Sequence, residues 1–467
     1  MSTLPVALRR DSRTPLHVQL AGQVRELVTT GALPAGGRLP STRALAAELG
    51  VARSVVEAGY DQLLAEGWLS ARRGSGTFVA ELGSLPSPPT PGRRTAVLAA
   101  RVPDRPVLRL GTGTPWVDPR HRAAWRRAWR QVAAAPMPRD YPDPAGLPEL
   151  REEIAGYVAR TRGVPCTAGE VLVTTGTTHG MALVLGVLEP GVVAIEDPGY
   201  RAAVGVASQS GWGVLDLPVD DEGAQVDALC GTDAAVRAVY VTPAHQHPLG
   251  VTMSAGRRVA LLEEARHRGA LVLEDDYDSE FRYDVAPLPA LTALDPEQAV
   301  YLGTASKALS PALRIGWVVG RPDLLARIAA QREARHDHPP WPTQLALLNL
   351  LREGHLDKMV RSARRVYAER AELVASRLGR HGTVSGPVAG MYLTLLTDRG
   401  VARAVHEQCL AAGFDVPLLE ELARSDTRAG LVVGFGGLSD GDLLRALEAL
   451  DRALAGQACL TGPGTRA

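Results

Sequence analysis

VYLGTASKALSPALRIGWVVG, residues 300 to 320, sets one lysine between two apolar runs. The runs AVYLG near 299 and IGWVV near 315 read as buried strands, short, apolar and rich in β-branched and aromatic residues. Lys307 stands just past the first run, which places its amine at the carboxyl edge of a sheet, where open α/β folds bind ligands. Scarcity singles it out further. Of 51 Lys plus Arg only two, Lys307 and Lys358, are lysines. Where positive charge alone suffices this chain uses arginine. A retained lysine is then a candidate for what a guanidinium cannot do, losing its proton and attacking a carbonyl. In a partly desolvated, cation-lined pocket the ammonium form is disfavoured and a Schiff base with an aldehyde becomes accessible.

Working outward, VVAI near 192, VRAVYVT near 236 and ALVLED near 270 alternate with amphipathic helices from about residue 107 onward. That alternation predicts an α/β domain with a buried, largely parallel sheet. Helices dominate after about 321, with short strands near 391 and 431, and predict a smaller C-terminal α+β subdomain. Asp275 ends the strand ALVLE, and Tyr277 shares its face two residues later; alternation alone permits either Asp275 or Asp276 to meet a ligand. Gly176, Thr177 and Thr178 lie between a strand and a helix, where backbone N–H groups and the helix dipole favour a phosphate.

Five further segments complete the pattern: YPDPAGLPELREEIAGYV from 141, VLVTTGTTHGMALVLGVL from 171, IEDPGYRAA from 195, VTPAHQHPLGVTMS from 241 and VLEDDYDSEFRYDVAPLPAL from 272. With the lysine segment they resemble the fold-type I aminotransferases across roughly residues 107 to 455. The resemblance implies pyridoxal 5′-phosphate as cofactor, bound as a Schiff base by Lys307. It selects Asp275 to pair with the pyridine nitrogen and Tyr277 to donate to the phenolic oxygen. It assigns Gly176, Thr177, Thr178, Thr304, Ser306 and Arg314 to a phosphate cage and Tyr200 to the ring. It sends Tyr141 to the phosphate of a neighbouring subunit, making the protein a homodimer.

There are departures. His247 precedes Pro248 where plain aminotransferases carry Asn, beside His245 and Gln246, and Leu249 replaces the usual Thr. No carboxylate or third histidine stands at a spacing that predicts a metal site. In LVVGFGG, Val432 occupies the place of the arginine that forks a substrate carboxylate. Arg424 or Arg428 would have to supply that fork from a loop.

Towards the N-terminus, LHVQLAGQVRELVTTG from 16, PSTRALAAELG from 40 and RSVVEAGYDQLLAEG from 53 give three short helices. Helix, turn and helix at this spacing is a DNA-reading unit. WLSARRGSGTFVA from 68 adds two β-runs around a turn with Arg72 and Arg73 at its tip. The whole stretch resembles the GntR winged-helix family. The resemblance implies that Arg43, Arg53 and Arg73, with Ser54 and Arg72 beside them, approach phosphates or base edges. Ala52 and Val55 stand where that family usually has Ser and Thr, which removes a cap oxygen.

At 467 residues the chain exceeds one core and predicts two or three domains. Lys plus Arg equals Asp plus Glu at 51 each, so any nucleic-acid site must be local; residues 1 to 80 carry nine Arg against six acidic residues. Cys166, Cys230, Cys409 and Cys459 show no metal or disulfide spacing and read as buried apolar residues. No signal-like N-terminus and no apolar run of roughly 18 to 20 residues is present, which predicts a cytoplasmic protein with no membrane contact. ELGSLPSPPTPGRR is too proline-dense to pack and marks a tether.

The expected organisation is therefore a small α+β winged helix-turn-helix head over 12–80, a linker over 81–106 and an α/β aminotransferase-like body over 107–467. Head and body together resemble the MocR subfamily of GntR-type transcription regulators. That implies double-stranded operator DNA as partner, a head-to-tail homodimer, and an effector that is pyridoxal phosphate alone or with an amine such as γ-aminobutyrate. The alternative is an active aminotransferase carrying an accessory DNA-binding head.

Overall fold

The computed structural model describes residues 4–72, 75–81, 107–283, 289–425 and 428–460, the side chains of 458–460 excepted. Arg73 and almost all of the expected tether lie outside the described residues. The chain divides into two compact units, Met1–Val102 and Pro103–Ala467.

In the first unit α1 (Leu16–Thr29), α2 (Thr42–Leu49) and α3 (Arg53–Ala65) precede a hairpin of β1 (Leu69–Arg72) and β2 (Gly76–Val79). Leu20, Val24, Leu45, Val56, Tyr60 and Leu63 are fully or almost fully buried in one core with Leu69 and Val79 of the hairpin. Ser41 caps α2 by accepting the Ala44 N–H, and Gly50 ends it in the left-handed region at φ 63°. Ala52, at the corresponding position before α3, offers no side-chain bond, as its sequence predicts. The hairpin is antiparallel, with Leu69 opposite Val79 and Arg72 opposite Gly76.

The second unit contributes β3 (Leu108–Arg109), β4 (Val171–Thr174), β5 (Val192–Asp197), β6 (Gly213–Asp220), β7 (Gly223–Ala224), β8 (Val236–Val241), β9 (Leu271–Asp276), β10 (Ala299–Thr304), β11 (Gly316–Val319), β12 (Thr383–Ser385), β13 (Tyr392–Leu396), β14 (Phe414–Asp415) and β15 (Gly430–Gly434). Eight of them form one sheet in the order β4-β11-β10-β9-β8-β5-β6-β7. β10, β9, β8, β5 and β6 are mutually parallel. β11 runs against both β10 and β4. Every residue of β4, β10 and β11 is buried, as expected for strands covered by helices on both faces. The smaller subdomain is built on the antiparallel sheet β12-β13-β15, and β14 pairs in parallel with β3.

One expectation fails. Among the cysteines with described side chains only Cys409 is buried, whereas Cys166 is half-buried and Cys230 is exposed; the side chain of Cys459 lies outside the described residues. Cys230 closes a single helical turn, Asp227–Cys230, at the surface, so apolar character did not decide its place.

Candidate cofactor site and nucleic-acid interface

Because β4, β5, β8, β9 and β10 run the same way, their carboxyl ends meet along one sheet edge. β11, running opposite, begins there. A cavity of about 260 Å³ opens on that edge, lined by Gly176, Thr177 and Thr178 after β4, Tyr200 after β5, Asp275 and Tyr277 at the end of β9, Thr304, Ser306 and Lys307 after β10, and Arg314 before β11. Ten of the eleven residues predicted to hold the cofactor thus share one cavity. Tyr141 is the exception. It is 70% exposed, lies outside the cavity and stacks on His338 with ring centres 5.0 Å apart.

Lys307 Nζ donates to the Gly113 carbonyl at 2.9 Å. Burial lowers its pKa from the ordinary 10.5, against the opposing pull of Asp278 and Asp275, which moves the amine towards its nucleophilic form. Asp275 accepts a hydrogen bond from Tyr240, while its Oδ1 is buried without a partner among the described residues. Burial pushes this carboxyl up from 3.8 to about 7. Asp276 points to the opposite face, 2.5 Å from Arg162 Nε and 2.7 Å from the Tyr301 hydroxyl. The register of β9 therefore separates two aspartates that alternation had left open.

Gly176, at φ 131°, precedes the helix Thr177–Val187, whose free N–H groups end at the cavity. Arg314 faces Gly176 and is itself held at φ 50°, an uncommon conformation for a non-glycine residue. Thr304 and Ser306 hydroxyls are 2.9 Å apart, and the Thr178 hydroxyl lies 3.4 Å from that of Tyr200. Hydroxyls, helix N–H groups and a guanidinium converge at this end of the cavity.

The histidine before Pro248 also lines the cavity. Burial drives the His247 pKa down to about 3, so the ring is neutral, with Nε2 3.2 Å from the Thr112 hydroxyl. His245 does not line the cavity and pairs with Asp278 at 2.7 Å. The Tyr277 hydroxyl donates to the His245 carbonyl at 2.9 Å and lies 2.7 Å from that of Tyr392. Thr112, Gly113, Thr242, Tyr240 and Tyr392 were not singled out from sequence; only Tyr240, a polar hydroxyl in the otherwise apolar run 238–241 of β8 next to β9, carried a readable signal.

The carboxylate grip is missing where it was sought. Val432 is fully buried within β15, opposite Thr394. Arg424 is held 2.5 Å from Asp216 and 3.2 Å from the Ile195 carbonyl, and Arg428 lies 3.5 Å from Asp221. Neither lines the cavity, whose cations among the described residues are Lys307 and Arg314.

Asp275 gives a pH test. Its folded pKa, about 7, exceeds its ordinary 3.8, so its protonation favours the fold fully below the lower value and this contribution is lost as pH rises through the higher. We expect Asp275→Asn to gain stability relative to the parent between about pH 5 and about pH 8, read from urea midpoints of the cofactor-free proteins. A gap equal at both pH values would contradict this assignment.

On the head, Arg43, Arg53, Ser54 and Arg72 are all exposed. Arg53 lies 2.7 Å from Glu57 one turn along, and Arg72 sits over the Phe78 ring at 5.0 Å.

These two units match two families. The aminotransferase class I and II profile matches residues 105–425, and that of the bacterial regulatory proteins of the gntR family matches residues 16–79. The chain is 35% identical over 450 residues to the HTH-type pyridoxine biosynthesis transcriptional regulator PdxR of Corynebacterium glutamicum, covering 95% of this chain and 97% of that one. It is 32% identical to the probable rhizopine catabolism regulatory protein MocR of Rhizobium meliloti, covering 95% of each. Among solved structures, LysN, the α-aminoadipate aminotransferase of Thermus thermophilus, complexed with N-(5′-phosphopyridoxyl)-L-leucine, matches with a TM-score of 0.66 at 26% identity over 76% of this chain and 94% of that one. Pyridoxal 5′-phosphate is accordingly the cofactor of the body, and DNA the partner of the head. The chain belongs to the MocR-type transcription regulators, in which a GntR-family DNA-binding head is joined to an aminotransferase-like body.

Proposed function

We propose that the body is a sensor of pyridoxal phosphate that sets how the heads engage an operator, with residues 12–80 as head, 81–106 as tether and 107–467 as body. The observation that carries this reading is a cavity equipped for the cofactor and not for an amino-acid substrate. An amine, an unpartnered carboxylate oxygen and a cluster of hydroxyls, helix N–H groups and Arg314 suit an aldehyde, a ring nitrogen and a phosphate. The donor set therefore fits pyridoxal phosphate. When bound, the cofactor supplies an aldehyde open to a primary amine and a ring that withdraws electrons.

The chain's own residues do the rest. Lys307 offers the amine, and burial lowers its pKa from the ordinary 10.5, which eases the loss of its proton. Asp275 accepts a proton-bearing group in the cavity and is itself most stable as a carboxylate when that group is cationic. Gly176, Thr177, Thr178, Thr304, Ser306 and Arg314 take the phosphate, Tyr200 walls the ring and Tyr277 donates to the phenolic oxygen. The exposure of Tyr141 supports a role across a homodimer interface, in a head-to-tail arrangement. That Lys307 and Arg314 are the cavity's cations among the described residues, together with the pyridoxine-biosynthesis relative, favours pyridoxal phosphate itself over an amino acid as effector. Among the described residues no helix is long and apolar enough to cross a membrane, and a DNA partner supports a cytoplasmic location. Mobility shifts of DNA from the promoter next to its own gene, with and without pyridoxal phosphate, test the reading. A specific shift that responds to the cofactor supports it, and no specific shift in either condition overturns it.

A further inference from the structure

Residues 108 to 116 follow the tether directly and reach the cavity within a few residues. Leu108 N–H donates to the Gly413 carbonyl at 2.9 Å and Leu110 N–H to that of Asp415 at 2.8 Å; at the far end Trp116 N–H donates to the Tyr367 hydroxyl at 2.6 Å. Between these anchors the segment runs over Gly434, Gly436 and Gly437. A Cβ on Gly434 would strike the Gly111 carbonyl oxygen, and one on Gly436 that of Thr114, so the glycines of LVVGFGG are the floor the segment lies on. Its polar contacts with the cavity, among the described residues, are the Thr112 hydroxyl on His247 at 3.2 Å and the Gly113 carbonyl on Lys307 Nζ at 2.9 Å.

We propose that Leu110–Trp116 is a strap that reads the state of Lys307 and passes it to the tether; this rests on the reading of Lys307 as the cofactor's amine. As an ammonium, Lys307 holds Gly113 by a charge-assisted hydrogen bond. To react, it first releases one proton to solvent. Its nitrogen then forms a C=N bond with the aldehyde carbon, and the aldehyde oxygen leaves as water with the two remaining amine hydrogens; nothing is oxidised or reduced. A nitrogen that carried three N–H donors then keeps at most one, and Gly113 loses its hold. Gly113 is exposed, so its freed carbonyl turns to water and the strap loosens, which weakens the Leu108 and Leu110 anchors next to the tether. The head's covalent connection to the body enters through this strap, so its two arrangements bias the tether.

Hydrogen exchange of the full chain, read on the peptide spanning residues 110–116 with visible absorbance recorded on the same samples, tests the strap. Addition of pyridoxal phosphate is expected to speed exchange about tenfold at the Leu110 and Trp116 amides, the hydrogen-bonded N–H groups of this peptide, whose opening the charge-assisted bond to Gly113 restrains. Lys307→Ala is expected to exchange fast without cofactor. Lys307→Arg, which keeps a charged donor but cannot condense, is expected to stay slow with and without it. If the cofactor's absorbance develops while strap exchange stays constant, or if cofactor-free Lys307→Ala exchanges like the parent, the strap is overturned and the cofactor reading stands. If no absorbance develops at saturating pyridoxal phosphate, the cofactor reading falls and the strap with it.

Discussion

Lys307→Ala is expected to abolish the visible absorbance that pyridoxal phosphate acquires on the protein and to remove the cofactor's effect on DNA binding. Cofactor retention should fall on the order of a hundredfold, about 2.7 kcal/mol, because the covalent link to the cavity is lost. Equilibrium dialysis and absorbance spectra check both. No other residue can substitute, since Lys358 is exposed on the helix His355–Leu378 and does not line the cavity. The fold should survive, because Lys307 makes one hydrogen bond, to a main-chain carbonyl, and is only half-buried. A variant that keeps the parent's spectrum would remove Lys307 from its role.

The second large effect belongs to the head. Arg43→Ala with Arg53→Ala is expected to weaken operator binding by about thirtyfold or more, since each guanidinium that hydrogen-bonds a base edge contributes about 1–3 kcal/mol. Where a guanidinium meets only phosphate, affinity should fall evenly across sequences and the salt dependence should flatten by about one unit per phosphate released. Fluorescence anisotropy at several salt concentrations separates the two. Both side chains are exposed, and the Arg53–Glu57 pair within α3 is worth only about 0.3–0.5 kcal/mol, so the melting temperature should hardly move. Unchanged affinity would place the DNA-reading surface elsewhere on the head.

The elements that sequence resolved were those with a period or a punctuated motif. The strands around Lys307 and the helices of the head follow from apolar spacing, and Lys307 and the turn at Gly176–Thr178 from their places at strand ends, whereas Tyr200, Tyr277, Thr304, Ser306, Arg314 and the choice of Asp275 came from the resemblance to the aminotransferases. What escaped depended on long-range geometry. IGWVV looks the same whichever way it runs, yet residues 305–315 are too few for the crossover that a parallel neighbour requires, so β11 turns back beside β10. Asp275 and Asp276 are separated by Arg162, which arrives from a helix more than a hundred positions away. Arg424 was a reasonable substitute for the lost fork, but its engagement with Asp216 on β6 fixes it outside the cavity. Thr112 and Gly113 sit in a stretch with no periodicity, and only the folded chain brings them against His247 and Lys307. The neutral state of His247 is likewise a product of burial and could not be read from composition.

Condensation at Lys307 is expected to govern how the head binds its operator. The most direct test is a single titration of the full chain with pyridoxal phosphate in which visible absorbance and operator affinity are recorded on the same samples. The two signals are expected to change together, with the same midpoint, and amino acids added afterwards should be turned over far more slowly than the roughly 1 per second of an ordinary enzyme. Operator affinity that stays constant while the absorbance saturates would contradict the account.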